Sequence, residues 1–136
     1  MQHPWTAQLL DRFVESVERW DGLPCVLKLS GGYRIQIEGL WRLLADGTLV
    51  RTGEDDGQVF GHEHPIDAIS ELGQLLVGNS LQSVVVVTGT ADLILGFGSV
   101  VLQAISNSAG YEAWQVEGPK GTVAVGQGGG NVAVWD

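Results

Sequence analysis

The side chains best suited to chemistry lie in one polar loop, at His62 and His64. Two histidines separated by one residue project to the same side of an extended chain, and imidazole nitrogens together with a carboxylate are ligands that Zn²⁺ accepts. The spacing differs from the His-Glu-x-x-His pattern, which places both histidines on one face of a helix. The pair therefore points to a metal-binding module, or to a metal-dependent enzyme that needs at least one further ligand.

The same loop concentrates negative charge. Its acidic residues are Glu54, Asp55, Asp56 and Glu63. Neighbouring carboxylates in a loop do not hold the defined separation that a catalytic acid and base require, so no catalytic pair is predicted. They suit the docking of a basic protein instead, and Asp67 and Glu112 are further candidates for that surface.

The overall charge supports this interpretation. The chain has 136 residues, with 7 basic and 16 acidic side chains and a formal net charge of −9. The whole excess falls after residue 52, where Lys120 is the only basic side chain. Because nucleic-acid affinity comes largely from Lys and Arg at phosphates, we expect no nucleic-acid binding. A basic protein partner fits the charge better.

Several other classes are excluded by simple features. No apolar run approaches the length needed to span a bilayer, so no membrane segment is expected. The first residues lack the pattern of a secretory leader, and Cys25 is the only cysteine, which agrees with a reducing compartment. We therefore expect a cytoplasmic protein. Cys25 lies in an apolar segment and is interpreted as an inert core thiol. No motif of nucleophilic catalysis is present, and no enzyme activity is predicted.

Among the five tryptophans, the better candidates for a partner contact are Trp5, near the start of the sequence, and Trp41. Trp41 stands beside Arg42, and Trp and Arg are enriched at binding hot spots. Core packing is the alternative for a tryptophan in a strand. Self-association through Trp41 or an apolar sheet edge, giving a homodimer, is a further alternative.

Two amphipathic helices are predicted to position the loop. In the first, apolar residues from Leu9 to Val17 recur at helical spacing, with Thr6 as its cap and Gly22 as its end. The second is predicted from Ile66 to Val77, with Pro65 in its first turn. Each covers one face of a sheet in this interpretation.

The remaining segments alternate with a period of two and are separated by turn residues, which is typical of an antiparallel meander. Strands are predicted at 25–29, 33–38, 40–45, 48–52, 81–88, 91–97, 99–105, 111–117, 122–125 and 131–135. The fold class is therefore α+β, with antiparallel sheets and two helices in a single domain over residues 1–136.

The order of elements is also compatible with a tandem duplication. A shift of 58 residues lays the segment from Leu23 to Leu44 on the segment from Leu81 to Leu102 without a gap. The pseudo-repeat halves would be residues 5–57 and 64–136. Chance similarity between two amphipathic units is the alternative.

Three motifs in the second half carry a resemblance. These are Ala91-Asp-Leu-Ile-Leu-Gly-Phe-Gly98, Tyr111-Glu-Ala-Trp114, and the segment from Gly126 to Trp135. Over residues 81–135 the chain resembles a family of small uncharacterised bacterial proteins with a Tyr-Glu-Ala-Trp strand and a closing Gly-Gly-x-x-x-x-Trp strand. Here Ala91-Asp92 replaces the leading glycine of that pattern. Members resemble, by class, the immunity proteins that neutralise bacterial toxins.

Two functions follow as hypotheses. The first is a non-catalytic, immunity-type binding module that meets a basic partner through an acidic surface containing Glu54, Asp55, Asp56, Glu63 and Trp41. The second is a metal-binding module or metal-dependent enzyme centred on His62 and His64, with zinc as the expected ion.

Overall fold

The computed structural model describes residues 4–135, which form a mostly antiparallel β fold with one α-helix. The strands are β1 (Val14–Trp20), β2 (Leu23–Leu29), β3 (Tyr33–Ile37), β4 (Leu40–Ala45), β5 (Thr48–Thr52), β6 (Ser83–Val86), β7 (Leu93–Gly96), β8 (Val100–Ile105), β9 (Trp114–Gly118), β10 (Gly121–Gly126) and β11 (Val132–Val134). The α-helix is α1 (Ala68–Leu76), and short 3-10 helices lie at Pro4–Leu9, Gly53–Asp55 and Gly128–Gly130.

The strands form two sheets. The first sheet has the order β1-β2-β3-β9-β10-β11, and the second has the order β5-β4-β8-β7-β6. Within both sheets, neighbouring strands of the described chain are antiparallel. The chain therefore passes from the first sheet to the second between β3 and β4, and it returns between β8 and β9.

The apolar faces of the two sheets share one core. Alternate residues of the strands point into it, as the period-two pattern predicts, and they form a single hydrophobic cluster. Trp114 of β9 is fully buried in this cluster, and its indole Nε1–H donates to the carbonyl of Ala91, just before β7, at 2.8 Å. The ring of Trp5 lies 5.7 Å from that of Trp114, centroid to centroid. Aromatic packing and one buried hydrogen bond thus join the sheets.

The helix α1 contributes to the same core. Ala68, Ile69, Leu72 and Leu76 are buried, and the Asp67 carboxylate accepts from the Ser70 N–H at the helix N-terminus. The helix contacts β1 and corresponds to the predicted second helix, with bounds a few residues shorter. With nine residues it is too short to cross a membrane, and no other helix of residues 4–135 could do so.

The predicted first helix is wrong, and with it the α+β fold class with two amphipathic helices. Residues 14–20 form the edge strand β1, which pairs with β2. A register shift between Val14 and Ser16 places an extra residue, Glu15, in the strand. Val14 and Val17 then both face inward, three residues apart, so a bulged strand has the spacing of a helix.

The tandem duplication is also contradicted. The strands β2, β3 and β4 do correspond in order to β6, β7 and β8, but they pair differently. The strands β7 and β8 pair with each other in the second sheet. The strands β3 and β4 belong to different sheets, where β3 pairs with β9 and β4 pairs with β8. The first half also begins with β1 where the second half has α1.

The packing of Trp114 against β10 gives a stability prediction. A Cβ at Gly126 would overlap the Trp114 indole, whereas a Cβ at Gly110 would meet no atom within 4 Å. We expect Gly126→Ala to lower the free energy of unfolding by about 2 kcal/mol, because overpacking a dense core is destabilising. The matched control Gly110→Ala is expected to change it by less than about 0.5 kcal/mol. Urea denaturation checks both, and equal midpoints for the two variants would contradict the prediction.

Candidate binding cavity

A cavity opens where the chain passes from the first sheet to the second. It has a volume of about 230 Å³. The lining residues come from the β3–β4 corner, the 53–56 segment, α1 and the loop after β8, and they are Glu38, Gly39, Leu40, Trp41, Gly53, Glu54, Asp56, Ile69 and Asn107. We refer to this feature as the corner cavity. Three of its lining side chains are carboxylates, and none is basic.

Backbone hydrogen bonds fix the corner that carries Glu38. The N–H groups of Glu38 and Gly39 both donate to the carbonyl of Ala113, at 2.9 and 3.1 Å. A Cβ at Gly39 would lie 3.0 Å from Oδ1 of Asn107 and 3.1 Å from the carbonyl of Ile105. Glycine at this position therefore lets the loop after β8 approach closely, which brings Asn107 into the wall of the cavity.

Trp41 lines the cavity from the core side. It is only 2% exposed, and a Cβ at Gly53 would lie 3.0 Å from its Nε1. Within the described part of the chain, its indole N–H has no hydrogen-bond acceptor. Trp41 belongs to the hydrophobic core cluster, so a partner could reach it only through the corner cavity.

Two of the three consecutive acids are engaged in local structure. The Asp55 carboxylate accepts from the Thr52 N–H at 2.9 Å, and the Thr52 hydroxyl accepts from the Glu54 N–H, which together form a capping box. The Asp56 carboxylate accepts from the Ala68 N–H at 2.9 Å, at the start of α1. The sequence does not distinguish these three acids. Of the three, only Glu54 has a side chain without a polar partner in residues 4–135.

Arg19 of β1 ties the same segment to α1. Its Nη2 lies 2.9 Å from the Asp56 carboxylate and 3.4 Å from that of Asp67. The Ser70 N–H and then Arg19 hold the pKa of Asp67 below its ordinary value. Asp67 is thus a helix cap and ion-pair partner, and it does not line the cavity.

Glu38 experiences the opposite environment. Partial burial, and then the nearby negative charge of Glu112, raise the pKa of the Glu38 carboxyl above its ordinary value. No Lys or Arg of residues 4–135 forms an ion pair with Glu38, Glu54 or Glu112. Glu38, Glu54 and Glu112 are therefore left without a compensating Lys or Arg among residues 4–135, whereas Asp56 is paired with Arg19.

Sequence reasoning selected Trp41, Glu54 and Asp56, and the structure brings these three together at the corner cavity. It missed Glu38 and Asn107. The available signal was weak, namely the polar Glu38-Gly39 pair between two strand patterns and the Ser-Asn-Ser segment after another strand. Neither position adjoins the acidic loop in sequence.

His62, Glu63 and His64 lie elsewhere, exposed in the loop at 57–66. Hydrogen bonds of 2.8 Å close its base, from the Gly57 N–H to the Ile66 carbonyl and from the Ile66 N–H to the Gln58 carbonyl. Among residues 4–135, no group of three or more His, Cys, Asp and Glu side chains could hold a metal ion. The two histidines therefore have no third protein ligand beside them in this part of the chain.

Cys25 is fully buried in the core. Burial raises the pKa of its thiol to about 12. The thiolate, which is the reactive form, is therefore scarce at neutral pH.

The environment of Glu38 predicts a pH-dependent stability. Because its pKa is higher in the folded than in the unfolded chain, folding disfavours the ionised carboxylate. This destabilisation is complete above the folded pKa and disappears below the ordinary value of 4.5. We expect Glu38→Gln to raise the free energy of unfolding at pH 7 and to have a smaller effect at pH 4. Urea denaturation at both pH values measures the difference.

The control for Glu38 is Glu15→Gln, which makes the same change of charge at an exposed position of β1. We expect it to show a smaller difference between pH 7 and pH 4. An equal difference for the two variants would mean that net charge, rather than the corner environment, determines the effect.

The contacts of Asp56 predict a second change in stability. Asp56→Ala removes the acceptor of the Ala68 N–H and the partner of Arg19, so we expect the free energy of unfolding to fall by about 1–2 kcal/mol. Glu54→Ala, two residues earlier in the chain, removes no side-chain hydrogen bond or ion pair of residues 4–135. It is the control and should change the free energy of unfolding by less than about 0.5 kcal/mol. Faster amide exchange at Ala68 in the Asp56 variant alone would locate the loss at the helix N-terminus.

Comparison with known proteins gives a family without a known activity. No curated protein and no solved structure matches the chain significantly. A model of a family of unknown function, DUF6188, matches residues 5–136, which is nearly the whole sequence. The match agrees with the resemblance to an uncharacterised family that the second-half motifs carry. The chain therefore belongs to the family of unknown function DUF6188.

Proposed function

We propose that the protein is a non-catalytic binding module that receives a basic protein on the acidic surface around the corner cavity. The single observation that carries the proposal is the set of uncompensated carboxylates there. Glu38, Glu54 and Glu112 are exposed at their outer ends, and none has a cationic partner among residues 4–135. A basic partner would supply the missing positive charge.

The charge of the whole chain acts in the same direction. A net charge of −9 creates a negative potential that accelerates encounter with a basic protein, and the effect weakens as salt screens it. Carboxylates at the contact then fix orientation and discriminate against acidic partners. This combination is what an immunity-type protein uses when it covers a basic toxin, and we propose that role as the specific form of the function.

The structure also refines which acids should matter. Asp55 and Asp56 are occupied by backbone N–H groups and Arg19, so their substitution would disturb the 53–56 segment as well as any contact. Glu38, Glu54 and Glu112 can be changed without loss of a hydrogen bond in residues 4–135. They are therefore the cleaner test of the acidic surface.

The experiment compares two triple variants with equal net charge. The cavity variant is Glu38→Gln, Glu54→Gln and Glu112→Gln. The control is Glu15→Gln, Asp21→Asn and Asp46→Asn, all at exposed positions away from the corner cavity. The two triple variants and the wild type are immobilised separately and incubated with a bacterial extract. The bound proteins are then identified by mass spectrometry. We expect a basic protein on the wild type and the control that is absent from the cavity variant.

The association rate of that basic protein is then measured at low and physiological salt. We expect the cavity variant to associate at least tenfold more slowly at low salt and to show a weaker salt dependence than the control. Equal association rates for the two triple variants would contradict a role for the corner surface. Protection of cells that express the captured partner would test the immunity-type role.

A further inference from the structure

We propose that the protein forms a weak homodimer in which the outer face of the second sheet packs against the same face of a second copy. This surface shares no residue with the lining of the corner cavity, so the inference does not rest on the proposed function. Its basis is an exposed aliphatic sheet face, in a sheet whose strands carry no acidic side chain.

The second sheet presents one face to the core and the other to solvent. Leu93 and Leu95 of β7 are fully buried, as is Leu102 of β8, whereas Ile94 and Val101 point to the opposite side. The aliphatic residues of this solvent side are Leu44, Leu49, Val85, Val87, Ile94, Val101 and Ile105. We refer to them as the outer aliphatic face. None of them belongs to the hydrophobic core cluster or packs against it.

The strand register makes this face continuous. Leu49 of β5 lies opposite Leu44 of β4, which in turn lies opposite Val101 of β8. In the neighbouring row, Ile94 of β7 lies opposite Val85 of β6. Side chains at directly paired positions stand on the same side of a sheet and are close enough to interact. The outer aliphatic face therefore extends over all five strands of the sheet.

The first sheet shows the contrasting, ordinary arrangement. An antiparallel sheet with one face on the core usually carries polar side chains on its other face. The outer side of the first sheet does so, with Lys28 at 3.4 Å from Glu18 and Arg34 at 3.8 Å from Glu117. The two sheets of one fold thus differ in their outer surfaces, and only that of the second sheet has the composition of a surface that is covered by a partner.

The area of the face suits a weak dimer. Five strands of four to six residues, spaced by about 4.8 Å with about 3.4 Å per residue, give a face of roughly 400 Å². With both copies and the relief of the side chains included, contact would bury on the order of 1,000 Å², near the lower limit for a specific interface. We therefore expect a dissociation constant on the order of 10–100 μM.

The charge distribution selects a second copy as the occupant. The strands of the second sheet contain no Asp or Glu, although the chain has 16 acidic side chains. Two copies with a net charge of −9 each repel one another, and at this face they meet without opposing carboxylates. A basic protein finds no carboxylate here, and Arg42 would repel it. An aliphatic patch is also complementary to itself, as a two-fold symmetric interface requires.

The polar side chains at the centre of the face are compatible with this contact. Nε and Nη2 of Arg42 donate to Oε1 of Gln103 at 2.9 and 2.6 Å. Gln103 lies on β8, the central strand of the sheet. The guanidinium and the amide carbonyl thus have a partner before the copies meet, so association does not leave either group without one.

Sedimentation equilibrium of the complete protein tests the inference. We expect a monomer–dimer equilibrium that is stronger at about 0.5 M than at about 0.05 M salt, because salt screens the repulsion between two negative copies. This response is opposite in sign to that of a basic partner, whose attraction salt weakens. A protein that remains monomeric up to about 1 mM would overturn the inference.

Matched lysine variants assign the contact to the face. The face variant is Leu49→Lys with Val85→Lys, and the control is Leu75→Lys with Val59→Lys, at exposed positions of α1 and of the loop at 57–66. Both change the net charge equally. We expect the dissociation constant to rise at least tenfold in the face variant and less than about twofold in the control, because desolvating an ammonium group at an apolar contact is costly. Equal constants for the two variants would overturn the inference.

A measurement on the wild type alone covers the case in which the face variant does not fold. Backbone amide resonances are followed by NMR as the protein is concentrated from about 20 μM to about 1 mM, a range that spans the expected dissociation constant. We expect concentration-dependent shifts in the strands of the second sheet and not in those of the first. Shifts confined to the first sheet or to α1 would show that copies meet through another surface, and would overturn the inference.

Discussion

The indole of Trp114 links the two sheets, and the rest of the structure depends on how it is held. Its N–H would be strongly destabilising in a dry core without an acceptor, and the carbonyl of Ala91 provides one at 2.8 Å. Because Trp114 belongs to the first sheet and Ala91 leads into the second, this hydrogen bond sets the position of one sheet relative to the other. The close approach of Gly126 lets β10 lie against the same ring.

The geometry of the corner cavity depends on how Trp114 is held in the core. Ala113 directly precedes Trp114, and its carbonyl accepts from the backbone of both Glu38 and Gly39. Fixing the indole therefore also fixes the corner at which the chain leaves the first sheet. Gly39 then admits Asn107 from the end of β8. The cavity wall is thus built from four segments of the chain, and the core determines where they meet.

Sequence reasoning located most strands because their alternation and turn residues are local properties. The hairpin of β2 and β3 lies across Gly31-Gly32, and the hairpin of β4 and β5 lies across Asp46-Gly47, as predicted. The strand β1 was not predicted because its bulges break the alternation of apolar and polar residues by which a strand is identified in a sequence. The order of strands in the sheets was not predicted either. Pairing such as that of β3 with β9 depends on which apolar faces fit together, and no local sequence pattern records that.

In the candidate site, too, some features could be predicted from the sequence and others arise only from the fold. Residue type and charge were enough to select Trp41, Glu54 and Asp56, but they could not distinguish an acid that caps a helix from an acid without a partner. That distinction comes from hydrogen bonds to Thr52 and Ala68, which the fold creates. It bears on function because a carboxylate that stabilises the folded chain needs no partner molecule. At Glu38, partial burial and then the negative charge of Glu112 disfavour the ionised form and raise the pKa of the carboxyl. Carboxyl groups with a perturbed pKa cluster at functional sites.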